Sequence, residues 1–167
     1  MRELIESLFK KSIELGDVQY TEVEIENSWI GNDPATSKQI KDAESKLSVS
    51  FPDDYKELLS ITNGFKTSNY NVFTSFMKIE EVAYFKEVIP HAIEAYEDTL
   101  PELNEAIIIA GANETQQFLL VPPVKSRPEW RYWAFANWHP GEEEYNGLED
   151  YLKNTIDSIQ SFIDNKD

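Results

Sequence analysis

Apolar residues change their spacing along this chain, and the change separates helices from strands. Leu4, Ile5, Leu8 and Phe9, continuing to Ser12 and Ile13, recur at three- and four-residue steps, which predicts an amphipathic helix ending near Gly16. In "VQYTEVEIE" the alternation of Val18, Tyr20, Val23 and Ile25 is imperfect and predicts an edge strand or an extended arm. "GNDPATS" reads as a turn, with Thr36 or Ser37 capping a helix lined by Ile40, Ala43 and Leu47. Tyr55, Leu58, Leu59 and Thr62 then restore the helical period. Pro52 suits the start of this helix, and Asp53 and Asp54 face the positive end of its dipole. Asn63-Gly64 reads as its stop, with a positive φ just past the last turn and Phe65 folding back onto the apolar side. The two helices are expected to form a short hairpin.

Further on, "YNVFTSFMKI" is strand-like, and "EEVAYFKEVIPHAIEAYE" is a helix that Pro90 interrupts and restarts. "AIIIA" and "FLLVP" are short apolar strands joined by the turn-rich "GANETQQ", a hairpin whose second strand stops at Pro122-Pro123. In "EWRYWAFANW" a period of two sets Trp130, Tyr132, Ala134, Ala136 and Trp138 against Arg131, Trp133, Phe135 and Asn137. Large apolar groups on both sides suit an interior strand. "HPGEEEYNG" reads as a loop. "LEDYLKNTIDSIQSFI" closes the chain as a helix with Leu148, Leu152, Ile156, Ile159 and Ile163 turned inward. Helices at both ends and strands between them make an α+β domain. Residues 1–33, a helix and an arm, belong to the same domain as residues 34–167.

Composition narrows the chemistry. A chain of 167 residues suits one domain, and the absence of cysteine excludes disulfides, thiolate metal sites and thiol nucleophiles. The opening "MRELIESLFKKSIELG" mixes acids among its apolar residues, unlike a signal peptide, and no stretch approaches the roughly 20 apolar residues of a membrane span. A cytoplasmic protein with no membrane contact is expected. The formal net charge is −16, and three windows without Lys or Arg (Ser12–Ser37, Glu87–Val124 and Tyr132–Leu152) hold more than half of the 31 acidic residues. A field of that sign repels nucleic-acid backbones and attracts basic proteins, so direct nucleic-acid binding is not expected.

Enzyme signatures are missing. Gly111 stands alone in its turn, without a phosphate-loop pattern, and there is no serine elbow. His91 follows Pro90 at a helix start and reads as structural. His139 lies beside Glu142, Glu143 and Glu144, but one imidazole with carboxylates falls short of the three defined ligands of a catalytic metal. Neither a metal nor another cofactor is expected.

"PATSKQIKDAESKLSVSFPDDYKELLSITNGF" resembles the entry motif of the SUKH superfamily, the Smi/Knr-like domains. The resemblance rests on Pro34, Ile40 and Glu44, the Phe51-Pro52 step, Asp54-Tyr55, and Asn63-Gly64. It continues through "FLLVPP", a Glu-Trp strand starting at Trp130 and ending in Asn-Trp at Trp138, and the turn at Pro140-Gly141. Most of the chain is covered, from about Pro34 to Leu152. Two departures stand out: "LSVSFP" replaces the usual Leu-Gly before the proline step, and Gly147-Leu148 opens the last helix where relatives have phenylalanine. The resemblance implies a mixed, mostly antiparallel sheet flanked by helices, and binding without catalysis. Bacterial relatives are chiefly immunity proteins that block a cognate toxin, often a nuclease; a fungal branch regulates cell-wall assembly. An acidic inhibitor suits a nuclease, whose phosphate cleft is basic. The expected partner is therefore a basic protein toxin, with an intracellular adaptor of the cell-wall type as the alternative. Candidate contact residues are Trp138, His139, Glu142, Glu143, Glu144 and Tyr145, and separately Glu94, Glu97 and Asp98 at the end of a helix.

Overall fold

Helix α1 (Arg2–Leu15) forms on the expected stripe, burying Ile5, Leu8, Phe9, Ser12 and Leu15, and Gly16 ends it in the left-handed region at φ 68°. The computed structural model describes residues 1–16, 19–66, 74–136 and 142–165, with Glu142 described by its backbone alone. The segment after α1 is a helix, α2 (Glu22–Asn27), and not the strand or arm suggested by its alternation. A reciprocal cap decides this: the Glu24 N–H donates to Thr21 Oγ1 at 3.2 Å, and the Thr21 N–H donates to the Glu24 carboxylate at 2.7 Å. The apolar alternation has no core to answer to, since Val23 and Ile25 are 64% and 51% exposed.

Thr36 caps α3 (Ser37–Leu47) by the same reciprocal device with Gln39. Glu44 then ties α3 to the start of α4 (Asp53–Ile61): its carboxylate accepts the Phe51 N–H at 2.8 Å and pairs with Lys56 Nζ at 2.9 Å. Helix α4 closes on Thr62 in an extended conformation, so Asn63-Gly64 is not its immediate cap. The pair is a clasp. Buried Asn63 accepts the Ile79 N–H at 2.7 Å and donates to the Glu80 carboxylate at 3.0 Å. Gly64, at φ 78°, runs so close to the next segment that a Cβ would sit 2.7 Å from the Phe76 carbonyl oxygen. Phe65 turns inward, its ring 5.0 Å from that of Phe9 and 4.9 Å from that of Phe76. Of the strand-like "YNVFTSFMKI", residues 70–73 lie outside the described residues. Phe76 makes isolated bridges to Phe65 and Ala110.

Five strands follow in the order of the chain: β1 (Ala83–Tyr84), β2 (Ile107–Ala110), β3 (Gln117–Val121), β4 (Arg131–Phe135) and β5 (Glu142–Tyr145). Each pairing among the described residues is antiparallel, in keeping with the mostly antiparallel sheet that was expected. Between β1 and β2 lie α5 (Phe85–Val88), α6 (Pro90–Tyr96) and a 3₁₀ turn (Pro101–Asn104). Pro90 does open a helix, but "EEVAY" before it is a turn leading into β1. The expected loop "HPGEEEYNG" is in part strand: Glu144 pairs with Trp133 and Tyr145 with Tyr132. An apolar interior strand needs a neighbour on both edges, and β5 supplies β4's second one.

The sheet carries a core on each face. Ile107, Ile109, Phe118, Leu120 and Tyr132 pack with the buried residues of α1, α4 and α7 (Leu148–Asp164). Ile108, Leu119, Val121, Trp133 and Phe135 pack with Phe85, Ala92 and Leu103. Helix α7 lies along α1 and buries Leu148, Leu152 and Ile159 as expected; Ile156 and Ile163 fall on its half-buried flank.

One carboxylate joins three elements. Asp54, in the first turn of α4, accepts the Tyr132 hydroxyl of β4 at 2.6 Å and the Leu148 N–H of α7 at 3.1 Å. Helix α7 begins at Gly147, which has no side chain to cap it, so Asp54 caps it from another helix. Asp54→Ala is expected to cost about 2–3 kcal/mol in urea unfolding, since it uncaps α7 and strips a mostly buried hydroxyl of its acceptor. Asp54→Asn, which keeps one carbonyl oxygen, should lose about half as much.

The titratable groups bound stability on both sides. Burial pushes the Tyr55, Tyr132, Tyr145 and Tyr151 hydroxyls above their ordinary 10.0. A raised tyrosine stabilises the fold fully below pH 10.0, and that contribution is lost as pH climbs towards the folded values. Hydrogen bonds from Asn63 and Gln39 hold Glu80 below its ordinary 4.5, outweighing burial. Glu44 is also lowered: burial raises it, but Lys56 and the Phe51 N–H overcome that. Their contributions are present above pH 4.5 and lost as pH falls below it. A pH series of thermal melts should therefore show a plateau with losses at both ends. At the alkaline end tyrosinate absorbance should rise together with unfolding; buried tyrosines that ionise well before unfolding would contradict this.

Candidate functional site

The face of the sheet that carries Trp133 and Phe135 has a thin cover, made of α5, α6 and the 3₁₀ turn. Their outer sides hold Glu87, Glu94, Glu97, Asp98 and Glu105, all exposed. From Phe85 to Glu105 the one Lys or Arg is Lys86, which reaches Glu105 at 3.5 Å. The predicted trio Glu94, Glu97 and Asp98 thus sits on and just beyond α6 in a setting almost without cations. The opposite layer is different: α3 alone bears Lys38, Lys41 and Lys46.

The second predicted cluster divides. Trp138 and His139 lie outside the described residues, as do Pro140 and Gly141. Strand alternation sends Glu144 to the Trp133 side of the sheet and Glu143 and Tyr145 to the other. Glu143 is exposed, whereas Tyr145 is half-buried with its ring 5.2 Å from Tyr151. Glu144 is engaged within the molecule: it accepts the Trp133 indole N–H at 2.9 Å and hydrogen-bonds Arg127. Burial raises its carboxyl, but Arg127, the indole and the charge of Arg131 together hold it below the usual range.

Arg131 is the residue that sequence reasoning passed over. It is 5% exposed, its guanidinium lies 5.0 Å from the Trp133 ring, and Nη1 sits 3.7 Å from Glu102 and 3.8 Å from Glu144. Its Nε and Nη2 have no hydrogen-bond partner among the described residues. The period-two pattern did put Arg131 on one face with Trp133; what it lacked was that Glu102 and Glu144 converge there from distant positions. A cavity of about 240 Å³ opens beside this network, lined by Arg127, Arg131, Glu144 and Trp130 among others.

His91 is exposed and borders a cleft with Glu114, and among the described residues no group of three or more His, Asp or Glu is placed to hold a metal. No helix among the described residues is long and apolar enough to cross a membrane.

Among the described motif positions, Ile40 flanks the core, Glu44 and Asp54 make the ties described above, Pro52 precedes α4, and Trp130 packs at the core's edge. Pro34 is exposed and leads to Ala35, whose N–H donates to Leu59 O at 2.8 Å. The model of the SMI1/KNR4 family (SUKH-1) matches residues 34–164. The chain belongs to that family. No curated protein matches it in sequence. SMI1/KNR4 members are non-catalytic scaffold and adaptor proteins. The α+β fold with its flanked five-stranded sheet is that of the family.

The Arg131 network makes a prediction within this SMI1/KNR4 scaffold. Glu144→Ala should destabilise by about 2 kcal/mol, because the Trp133 N–H and a buried guanidinium each lose a partner. Arg131→Met should stay within about 1 kcal/mol of the parent, since Glu144 keeps Arg127 and Trp133. Equal losses in urea titrations of the two variants would contradict this apportioning.

Proposed function

We propose that this chain is an immunity protein that binds and neutralises a basic protein toxin, a nuclease, in the cytoplasm of the producing cell. The observation that carries the reading is the run of exposed carboxylates on α5, α6 and the 3₁₀ turn, with Lys86 as its one cation. A nuclease holds phosphates in a basic cleft, and a field of opposite sign steers the inhibitor to it. Such steering raises association rates by roughly 10- to 1000-fold. The family supports this use and also an adaptor role of the cell-wall regulating kind, which is the second reading.

The test is co-expression with the toxin encoded beside this chain's gene. Growth should be rescued, and the purified pair should associate more slowly as salt rises. Replacing Glu94, Glu97 and Asp98 by Gln, Gln and Asn should lower the association rate about tenfold at low salt and leave the dissociation rate nearly unchanged. No rescue, with stable retention of cell-wall synthesis or signalling proteins, would favour the adaptor.

A further inference from the structure

Beside the 3₁₀ turn lies a groove of about 230 Å³ lined by Pro101, Val121, Pro122 and Val124, with Glu102 and Glu105 as its remaining walls. We propose that this groove takes one lysine or arginine side chain of the protein partner, its alkyl stem between the prolines and valines and its cationic head on the two carboxylates. The proposal rests on the basic-partner reading above and names a contact within it.

Three features point to this occupant. First, the groove is lined almost wholly by carbon, and the two glutamates that wall it carry their carboxylates outside it, toward Arg131 and Lys86, which matches a side chain that is aliphatic along its length and charged at its tip. Its volume is several times the ~30 Å³ that one water takes up, enough for a four-carbon stem. Second, the carboxylates have capacity to spare. Arg131 reaches Glu102 at 3.7 Å and Lys86 reaches Glu105 at 3.5 Å. Both distances exceed a normal charged hydrogen bond of about 2.7–2.9 Å. None of the six lining residues is a cation; Lys125 is exposed on the turn just beyond Val124.

Third, the walls are already set. Pro122 and Pro123 fix the chain leaving β3. Val124 and Arg127 exchange both backbone hydrogen bonds at 2.9 Å, which holds Val124 in place although it is 40% exposed. Val121 is paired with Arg131 in the sheet, and Pro101 begins the 3₁₀ turn. A rigid pocket loses little freedom on binding, which suits an anchor at the centre of an interface. Its position beside the carboxylates of the 3₁₀ turn would put that anchor at the edge of the field that steers the partner in.

The probe is n-butylammonium, the stem and head of lysine, titrated at millimolar concentration while the methyl resonances of Val121 and Val124 are followed by NMR. Valerate, with the same stem and an anionic head, is the control. The expected result is a saturable shift with n-butylammonium, weakened several-fold in Glu105→Gln, and none with valerate. No shift, or an equal shift with valerate, overturns the proposal. In the complex, the double variant Glu105→Gln with Val124→Ser, checked by its melting temperature, should bind the toxin roughly tenfold more weakly. Undiminished binding by that variant overturns the groove and leaves the toxin reading standing. A groove that takes n-butylammonium in a protein that captures no basic toxin removes the toxin reading alone.

Discussion

The Asp54 carboxylate is the constraint on which this architecture turns. It lies in the first turn of α4, yet two of its hydrogen bonds leave that helix, one to the sheet through Tyr132 and one to the start of α7. Helix α7 in turn carries α1 along its length. The N-terminal helix, the entry motif and the C-terminal helix are thus referred to one anionic group. A charged acceptor is suited to the task, because bonds to it are worth about twice those between neutral groups. Its partners are a mostly buried hydroxyl and a helix terminus, both of which would otherwise go without.

Around that joint the molecule treats its two sides differently. The side of α1, α4 and α7 buries a large aromatic core in which Phe9, Phe65, Phe76, Phe118 and Tyr151 touch ring to ring. The other side is thin, and its charges are arranged by depth. The deep cation, Arg131, is matched by Glu102, Glu144 and the Trp133 ring. The shallow acids on α5 and α6 have almost nothing to match them. Compensation below and excess above is what a surface needs if it is to hold its own shape while projecting a field outward. An uncompensated guanidinium in the interior would cost several kcal/mol, whereas an exposed glutamate costs little.

Much of this was legible from periodicity, and the failures share a cause. Helices α1, α3, α4 and α7 and strands β2, β3 and β4 were visible because each has a buried face that stamps its period on the sequence. Helix α2 was misread because it has no buried face; its determinant is the Thr21–Glu24 cap, a local signal that an imperfect alternation of Val23 and Ile25 obscured. Strand β5 was misread because its glutamates look like a loop, and only the need of β4 for a second neighbour reveals it. The helix dipole accounts for the place of Asp54 in the first turn of α4 but not for its main work, which depends on residues 78 and 94 positions away. Asn63-Gly64 likewise has the residue types of a local stop, yet it is a clasp on residues 76 to 80. Long-range polar contacts leave no period to read.

The glutamates of β5 show how one sequence feature can serve two ends. An edge strand exposes backbone donors and acceptors to any passing chain, and charge along it discourages self-association. Repulsion of that sort is selective: two copies of this edge repel each other, while a basic partner does not meet the barrier. Glu144 is withdrawn from this role by Arg127 and Trp133, so the outward charge of the described edge falls to Glu143. The strand is therefore held by one glutamate and guarded by its neighbour. An acidic stretch that composition alone would count as a single patch divides, through the pleat, into a glutamate held by Arg127 and Trp133 on one face and an exposed glutamate beside the Tyr145 hydroxyl on the other.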